Sequence, residues 1–298
     1  MKYLKFGKNL EMSQIIAGMM RTKDAAMEGD ALLNFVEKCV DLGIDSFDHA
    51  PVYGGYICEK LFGDAVLRKK PELRNKMKLV TKTGIVLPGV EDNSRIYYKS
   101  TKEEIIKEMD KSLVNLGTDY VDLLLIHRPD MLGNPEETAN ALEALVKAGK
   151  VLAVGVSNHM PSQMAALQSF LDIPLVTNQM ELSVMATYNF ENGVVDDAYI
   201  RRIPLMAWSP LGGGSIFENT DEKAVRIRKE VDKIAEVHCT TADVIMYAWL
   251  FRHPVRIAVV TGTMNIDRIR TAVKALDIIL SYDEWYTILA ASRGYDVP

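Results

Sequence analysis

Four residues able to donate, hold or orient a proton stand at or just after the ends of predicted strands: Asp48 in FDHA, Tyr53 in PVYGG, Lys82 in LVTKTG and His127 in LLLIHRPD. A tyrosine phenol, with an ordinary pKa of about 10, is a poor proton donor near neutrality unless an ammonium within ~4–6 Å stabilises its phenolate. Lys82 suits that role, Asp48 would keep Lys82 charged and oriented, and His127 would hydrogen-bond a substrate oxygen. The set is typical of acid catalysis on a carbonyl, and because it supplies no nucleophile, the electron pair must come from a cofactor.

Each of the four residues also has an ordinary explanation. A lone aspartate such as Asp48 near a strand end is usually a cap, His127 alone is more often a satisfied core histidine, and a tyrosine in a glycine-rich turn is commonly an exposed aromatic. Lys82 is harder to explain, because a buried ammonium needs an anionic partner. Together at one rim, the residues favour a functional site. A metal site is disfavoured, because the histidines show no HxxxH or HExxH spacing.

The elements that must position these residues are short β-branched runs that alternate with amphipathic segments. Most of the runs are continuously apolar, as in strands buried on both faces of a parallel sheet. The eight predicted strands span residues 15–19, 45–50, 78–83, 121–127, 151–157, 175–180, 203–208 and 256–261. Eight strands alternating with helices in 298 residues favour one closed (β/α)8 TIM barrel, whose active sites lie at the C-terminal strand ends. A doubly wound sheet stays possible, although no GxGxxG follows the first strand.

Helix signals fill the intervals between the strands. Apolar residues recur at helical spacing in segments 31–42, 101–116, 136–148, 162–170, 222–237, 241–252 and 266–276. Ser100 and Glu103 predict a capping box at the start of segment 101–116. We also expect a small hairpin over residues 2–12, extra helices after the seventh strand and at the C-terminus, and a single domain over residues 1–298.

Two glycine-containing loops follow the last two predicted strands, where barrels often bind phosphate. The first is SPLGGG at 209–214, whose backbone amides can approach an anion closely, and the second is TGTMN at 261–265. Arg268 follows the second loop in the first turn of a predicted helix, and a helix N-terminus with an arginine suits a phosphate. Trp208, just before the first loop, fits stacking on a flat ring and ordinary core packing equally well.

Composition and charge exclude several classes of protein. Apolar residues make up 48% and charged residues 25% of the chain, which rules out disordered, collagen-like and coiled-coil chains. A net charge of -5 without a basic stripe disfavours nucleic acid as a partner. The longest uncharged stretch, 151–171, holds too many polar groups to span a bilayer, and the first residues lack a signal-peptide run. Three widely spaced cysteines form neither a disulfide framework nor a zinc knuckle, so we expect a reduced, cytoplasmic protein. We also expect a monomer or weak homo-oligomer.

Taken together, these motifs resemble the aldo-keto reductase superfamily. Asp48, Tyr53, Lys82 and His127 match its catalytic tetrad in identity, order and strand placement. Its cofactor-binding segments are matched by GVSN at 155–158, NQM at 178–180, WSPLGGG at 208–214 and TGTMNIDRIR at 261–270. The HRPD segment, AWSPLGGG and the terminal GYDVP are similar to the bacterial YdhF-like branch of predicted oxidoreductases.

The resemblance implies reversible hydride transfer from NADPH to an aldehyde or ketone, without metal or flavin. It implies that Tyr53 is the general acid, that Lys82 and Asp48 tune it, and that His127 orients the carbonyl.

The resemblance also implies how the cofactor is held. Ser157, Asn158 and Gln179 would grip the carboxamide of the cofactor. The indole of Trp208 would stack on its nicotinamide ring. The residues expected to bind the cofactor are Met19, Ser157, Asn158, Gln179, Trp208, Ser209, Pro210, Leu211, Gly213, Gly262, Thr263, Met264 and Arg268.

One departure from the family pattern concerns the choice of cofactor. Many members carry a lysine after the eighth strand where this chain has Gly262. Arg268, with the neighbouring Thr263 and Asn265, is therefore expected to hold the 2′-phosphate of NADPH, and NADH is the less favoured cofactor.

A second departure concerns the substrate. At two positions where several members carry tryptophan, this chain has Met20 and Arg128, so substrate preferences do not transfer. We expect the substrate pocket to be lined by loops near 19–24, 85–99 and 182–192 and by the C-terminal tail.

Three functions follow, in this order of preference. The first is an NADPH-dependent carbonyl reductase that acts on a small molecule. The second is a nicotinamide-binding redox sensor or regulatory protein with little turnover. The third is a lyase or isomerase without redox chemistry that forms a Schiff base at Lys82.

Overall fold

A closed barrel of parallel strands forms the centre of the protein. The computed structural model describes residues 1–296 of the chain. These residues contain twelve strands: β1 (Tyr3–Lys5), β2 (Glu11–Ser13), β3 (Ile15–Gly18), β4 (Ser46–Asp48), β5 (Lys78–Thr83), β6 (Ile85–Val86), β7 (Tyr97–Tyr98), β8 (Val121–Ile126), β9 (Val151–Ser157), β10 (Leu175–Glu181), β11 (Leu205–Trp208) and β12 (Ile257–Thr261). Around the barrel the order is β3, β4, β5, β8, β9, β10, β11 and β12, and β12 pairs in parallel with β3. The eight barrel strands match the eight predicted from the sequence, and the (β/α)8 barrel is confirmed.

The helices lie around this barrel. The described residues contain eleven α-helices: α1 (Gly29–Asp41), α2 (Cys58–Phe62), α3 (Lys102–Leu116), α4 (Pro135–Lys147), α5 (Pro161–Gln168), α6 (Val194–Arg201), α7 (Ser215–Glu218), α8 (Glu222–Val237), α9 (Ala242–Phe251), α10 (Ile266–Lys274) and α11 (Tyr282–Arg293). Each of the seven predicted helical segments overlaps one of them. The predicted extra helices are α8 and α9 after the seventh barrel strand and α11 near the C-terminus, whereas the short α7 was not predicted.

The predicted hairpin over residues 2–12 closes the N-terminal end of the barrel. It consists of β1 and β2, which pair antiparallel, and its apolar side chains pack with those that point into the barrel. This inner cluster contains Phe6, Leu10, Met12, Ile16, Val80, Leu123, Leu125, Val176, Met206, Ala258 and Val260. A second and larger apolar core lies between barrel and helices. The inner cluster fills the interior of the barrel with apolar side chains beneath the polar residues at its C-terminal end.

The structure corrects one prediction about a helix cap and adds three helices, α2, α6 and α7, that the sequence did not reveal. The N-cap of α3 is Thr101, whose hydroxyl accepts a hydrogen bond from Glu104 N at 3.4 Å, so the capping box assigned to Ser100 and Glu103 was wrong by one residue. Helix α2, continued by a π-helical turn at 63–67, was missed because Gly63 interrupts its pattern.

Within residues 1–296, no helix combines the length and the apolar character needed to cross a membrane. The barrel strands run from residue 15 to residue 261, and a single domain over residues 1–298 stays a prediction. The last two residues of the terminal GYDVP motif, Val297 and Pro298, lie outside the described residues.

Candidate active site

A buried lysine is the centre of a polar cluster at the C-terminal end of the barrel. Lys82 Nζ, on β5, donates to Asp48 Oδ2 at 2.6 Å, to His49 O at 2.9 Å and to Tyr53 Oη at 3.0 Å. The side chains of Lys82 and Asp48 are 0% and 2% exposed, so their ion pair is shielded from water. Tyr53 Oη also approaches Asp48 Oδ2 at 3.5 Å. The structure therefore brings three of the four predicted tetrad residues into one hydrogen-bonded group.

The bonding of Lys82 argues against a Schiff base at this residue. All three of its ammonium protons already have acceptors. Burial lowers the pKa of Lys82, but the negative charge of Asp48 and the Tyr53 phenol together outweigh burial and leave the pKa above its ordinary value. An amine that stays protonated is a poor nucleophile, which disfavours the lyase or isomerase hypothesis.

The phenol of Tyr53 is held in its protonated form. Burial raises its pKa above the ordinary value, and the nearby Lys82 opposes the rise without cancelling it. The sequence led us to expect a lowered pKa, and that expectation took account of the ammonium but not of burial. The consequence is that Tyr53 carries its proton at neutral pH, as a proton donor must.

His127 stands beside the phenol as a neutral ring. The His127 and Tyr53 rings meet edge-on, with their centroids 6.1 Å apart. Burial, together with the positive charges of Lys82 and Arg128, places the pKa of His127 well below its ordinary value. A neutral imidazole here can donate one hydrogen bond to a carbonyl oxygen without competing with Tyr53 as the acid.

The three residues expected to hold a carboxamide form a network of their own. Ser157 Oγ donates to Gln179 O at 2.9 Å, and Asn158 Nδ2 donates to Ser157 Oγ at 2.8 Å. Asn158 Oδ1 accepts from Trp208 Nε1 at 3.0 Å, which fixes the indole at the end of β11. Gln179 Nε2 donates to Asp48 Oδ1 at 2.9 Å, a contact that the sequence did not predict. The network therefore joins the predicted cofactor residues to the catalytic cluster.

A cavity of about 700 Å³ opens above this network. The predicted site residues that line it are Asp48, Tyr53, His127, Ser157, Asn158, Gln179, Trp208, Ser209, Pro210, Leu211, Gly213, Gly262, Thr263 and Arg268. Lys82 does not line the cavity, because it is buried behind Tyr53. Met19 is fully buried in the outer core and Met264 packs against that core, so the structure does not bring these two side chains to the cavity.

The loop at 209–214 forms one side of the cavity. Ser209 has a φ of 49°, and Gly213 has a φ of 68°, so the chain repeatedly adopts left-handed backbone there. A Cβ on Gly213 would meet nothing within 4 Å, so its backbone conformation, rather than a lack of space, requires glycine. Arg21, from the loop after β3, donates to Gly213 O at 2.8 Å. This bond joins the loops that follow β3 and β11, the two strands on either side of β12.

The N-terminus of α10 forms the far end of the cavity. Asn265 caps this helix by accepting a hydrogen bond from Asp267 N at 2.8 Å. Thr263 and Arg268 line the cavity on either side of the cap. The Arg268 guanidinium is exposed and forms no hydrogen bond or ion pair with residues 1–296. A helix N-terminus with an unpaired arginine in its first turn makes this end suitable for an anion.

Several cavity residues were not predicted as site residues. They include Phe217, Glu218, Thr241, Asp243 and Tyr247, together with Arg128, which the sequence singled out only as a departure from the family pattern. Most belong to α7 and α9, and the run of three glycines before α7 is the signal that could have indicated a helix folding back over the cavity. Of the predicted substrate loops, 19–24 contributes Met20 and Arg21, whereas within the described chain 85–99 and 182–192 contribute no lining residue.

Among residues 1–296, no group of three or more His, Cys, Asp or Glu side chains is arranged to hold a metal ion.

The similarity of this chain to known proteins agrees with the geometry of the site. The model of the aldo/keto reductase family matches residues 14–293. The chain therefore belongs to the aldo/keto reductase family and is an oxidoreductase, and members of this family use nicotinamide cofactors.

Two relatives are similar over the whole chain. The chain is 42% identical to the 6-dehydroglucose reductase of Agrobacterium fabrum, with 100% of both chains covered. It is 40% identical to the oxidoreductase YdhF of Escherichia coli, with 97% of this chain and 96% of the relative covered, which confirms the predicted branch. The solved structure of the glycerol dehydrogenase of Gluconobacter oxydans superposes with a TM-score of 0.86 at 24% identity, covers 99% of this chain and 97% of its own, and shows the fold alone.

Proposed function

We propose that this protein reduces an aldehyde or ketone to an alcohol with NADPH and that Tyr53 is the proton donor. The observation that carries the proposal is the bond of 3.0 Å between Tyr53 Oη and the buried Lys82 Nζ at the base of the cavity. A protonated phenol beside a fixed positive charge is suited to give its proton to a carbonyl oxygen as negative charge develops there.

The chain's own residues fit a nicotinamide cofactor. Trp208 offers a flat surface fixed by Asn158, and the polar network beneath it provides partners for a carboxamide. The glycine loop at 209–214 and the N-terminus of α10 would hold the phosphates, with Arg268 at the 2′-phosphate. When bound, such a cofactor supplies the hydride that adds to the carbonyl carbon.

The protein residues then account for the other half of the reaction. The substrate oxygen lies between Tyr53 and the neutral His127, and His127 holds it in place. Tyr53 gives its proton to that oxygen as the carbonyl π bond breaks, which leaves an alcohol and a phenolate. Lys82, kept charged by Asp48, stabilises the phenolate until a proton from solvent restores the phenol.

The substrate that the site supports best is a hydroxylated aldehyde. Arg128 lines the cavity beside His127 and forms no hydrogen bond or ion pair with the described residues, and its guanidinium lies 5.7 Å from the centre of the Trp208 ring. Its free donors suit oxygen substituents next to the reacting carbonyl. The relative from Agrobacterium fabrum carries the name of a reductase for such a compound, 6-dehydroglucose.

The experiment that tests the proposal is a fluorescence titration of the purified protein with NADPH and with NADH, followed by addition of an aldehyde. We expect NADPH to bind more tightly and to be oxidised on addition of the aldehyde, with a higher kcat/KM for glyceraldehyde than for propanal. Binding without turnover over a panel of aldehydes would instead support the redox sensor. Failure of both nucleotides to bind would rule out the proposal.

Arg268→Ala should weaken NADPH binding while leaving NADH binding nearly unchanged. The lost charge-assisted bond to the 2′-phosphate is worth about 1.5–3 kcal/mol, roughly 10- to 10²-fold in Kd. Arg270→Ala is the matched control, because Arg270 lies on the same helix and pairs with Asp267 outside the cavity. Equal losses for both nucleotides in Arg268→Ala would remove Arg268 from the 2′-phosphate site.

A further inference from the structure

The strand that carries Lys82 is bound from its outer side by two acidic residues. Side chains alternate along β5, so Lys82 points into the barrel like Val80, while Thr81 and Thr83 point towards the helices. Thr81 Oγ1 donates to Glu59 Oε1 at 2.6 Å. Thr83, the other sequence neighbour of Lys82, likewise donates a hydrogen bond from its hydroxyl to a second carboxylate.

That second carboxylate is Glu108, on α3. Its Oε2 accepts a hydrogen bond from Thr83 Oγ1 and another from Gly84 N, the latter at 2.7 Å. The two bonds fix both the last residue of β5 and the first residue after it. The end of the strand, where Lys82 meets Tyr53, is therefore tied to a long helix.

Both carboxylates are buried without an ion-pair contact, although the charge of Lys111 opposes the effect of burial on the pKa of Glu108. Glu59 is 1% exposed and Glu108 is 7% exposed. Neither forms an ion pair with residues 1–296, and burial raises the pKa of each. Burying a carboxyl group without a cationic partner is costly, and hydrogen-bonded hydroxyls offset only part of that cost. Neither side chain lines the cavity, so the proposed reaction leaves both unexplained.

Glu59 also belongs to the segment that carries Tyr53. It lies in the first turn of α2, which begins five residues after Tyr53, and Cys58 N donates to Tyr53 O at 3.3 Å. The bond from Thr81 to Glu59 therefore links the Tyr53 turn to the strand one residue before Lys82. The same two pieces of chain are joined by the bond between Tyr53 Oη and Lys82 Nζ, so the outer link fixes the geometry of the inner one.

Close packing between α2 and α3 keeps Glu59 in this place. A Cβ on Gly63 would lie 2.0 Å from Asn115 O, so only glycine allows the end of α2 to rest on the end of α3. The side chains of Ser112 and Asn115 on α3 act on Glu59 by lowering its pKa, against the larger effect of burial.

We propose that Glu59 and Glu108 are positioning residues that hold Lys82 Nζ within hydrogen-bond distance of Tyr53 Oη by fixing the outer face of β5. The proposal rests on the proposed function, in which Tyr53 is the proton donor. It assigns the effect to the hydrogen bonds that the two side chains accept rather than to their charge.

The test compares Glu59→Leu and Glu108→Leu, which remove the acceptors, with Glu59→Gln and Glu108→Gln, which keep them. We expect the Leu variants to lose about 10²-fold in kcat, the usual effect of misplacing a reacting group by about 1 Å, with KM for NADPH unchanged. The Gln variants should stay close to the wild type. Asp122→Asn is the matched control, because buried Asp122 accepts from Leu79 N at 2.9 Å at the other end of the same strand.

A second measurement needs no turnover. In protein labelled with ¹³C at tyrosine Cζ, the Tyr53 signal is assigned by its loss in Tyr53→Phe, and its chemical shift at pH 7 reports the hydrogen bond at Oη. We expect this signal to move in both Leu variants and to stay in place in the Gln variants and in Asp122→Asn. If either Leu variant does not fold, Thr81→Val or Thr83→Val removes the same hydroxyl and carries the same expectation.

The outcomes separate this proposal from the proposed function. Leu variants that keep the Tyr53 signal would overturn the positioning role, as would an Asp122→Asn variant that moves the signal equally. If the wild type reduces no aldehyde, the proposed function fails, and the Tyr53 signal alone still decides whether the two carboxylates position Lys82.

Discussion

Replacing Tyr53 with phenylalanine should lower kcat for carbonyl reduction by roughly 10²-fold or more, while Kd for NADPH stays nearly unchanged. The variant keeps the ring that packs against His127 but removes the hydroxyl that Lys82 contacts at 3.0 Å. General acid catalysis contributes about 10²–10⁴-fold to a rate, so the loss of the donor should fall within that range. Steady-state rates with a saturating aldehyde, together with a fluorescence titration with NADPH, would measure both quantities.

The pH dependence of kcat provides a check on the same assignment. Because burial raises the pKa of Tyr53 above about 10, the phenol is protonated throughout the neutral range, and the rate should fall only at higher pH as the proton is lost. Tyr53→Phe has no phenol to titrate, so its residual rate should show no such fall. A variant that keeps the full rate would show that another group donates the proton.

The positions of the site residues were predictable because a parallel barrel brings all C-terminal strand ends to one rim. Asp48, Lys82 and His127 each lie within one residue of the end of a different strand, so identifying the strands was sufficient to place them together. The same reasoning placed the loops after the last two barrel strands at the cavity.

Pairwise contacts between distant parts of the chain were not predictable in this way. The bond from Gln179 to Asp48 joins residues 131 positions apart, and the bond from Arg21 to Gly213 joins residues 192 positions apart. Local periodicity and turn signals carry no information on such pairs, because rotamers and packing in the folded state select them. The direction of the Tyr53 pKa was missed for a related reason, since it depends on burial by residues from several strands.

Helix α2 shows how a packing requirement can hide a structural signal. Glycine normally weakens a helix, so Gly63 reads as an interruption in the sequence. In the fold, the missing side chain is what lets α2 and its π-helical turn rest on Asn115 O. Gly63, which made the helix hard to predict, is thus the residue whose packing brings Glu59 to the outer face of β5.

Replacing Lys82 with methionine should lower the free energy of unfolding by about 3–5 kcal/mol and reduce carbonyl reduction by at least ~10²-fold. Methionine has a similar length but leaves Asp48 as a buried charge without its cation, only 2% exposed. It also leaves His49 O without its donor. Urea denaturation at pH 7 would measure the loss of stability, and NADPH oxidation would measure the rate.

The double variant Lys82→Met, Asp48→Asn tests whether the unpaired charge causes the loss of stability. It removes both charges, and the amide oxygen of the introduced asparagine would still accept the bond that Gln179 Nε2 donates at 2.9 Å. We expect the double variant to recover most of the lost stability but none of the lost activity, because replacing a buried pair costs far less than breaking it. If Lys82→Met alone unfolds at the same urea concentration as the wild type, the pair contributes little to folding. Lys82 would then serve only to stabilise the phenolate of Tyr53.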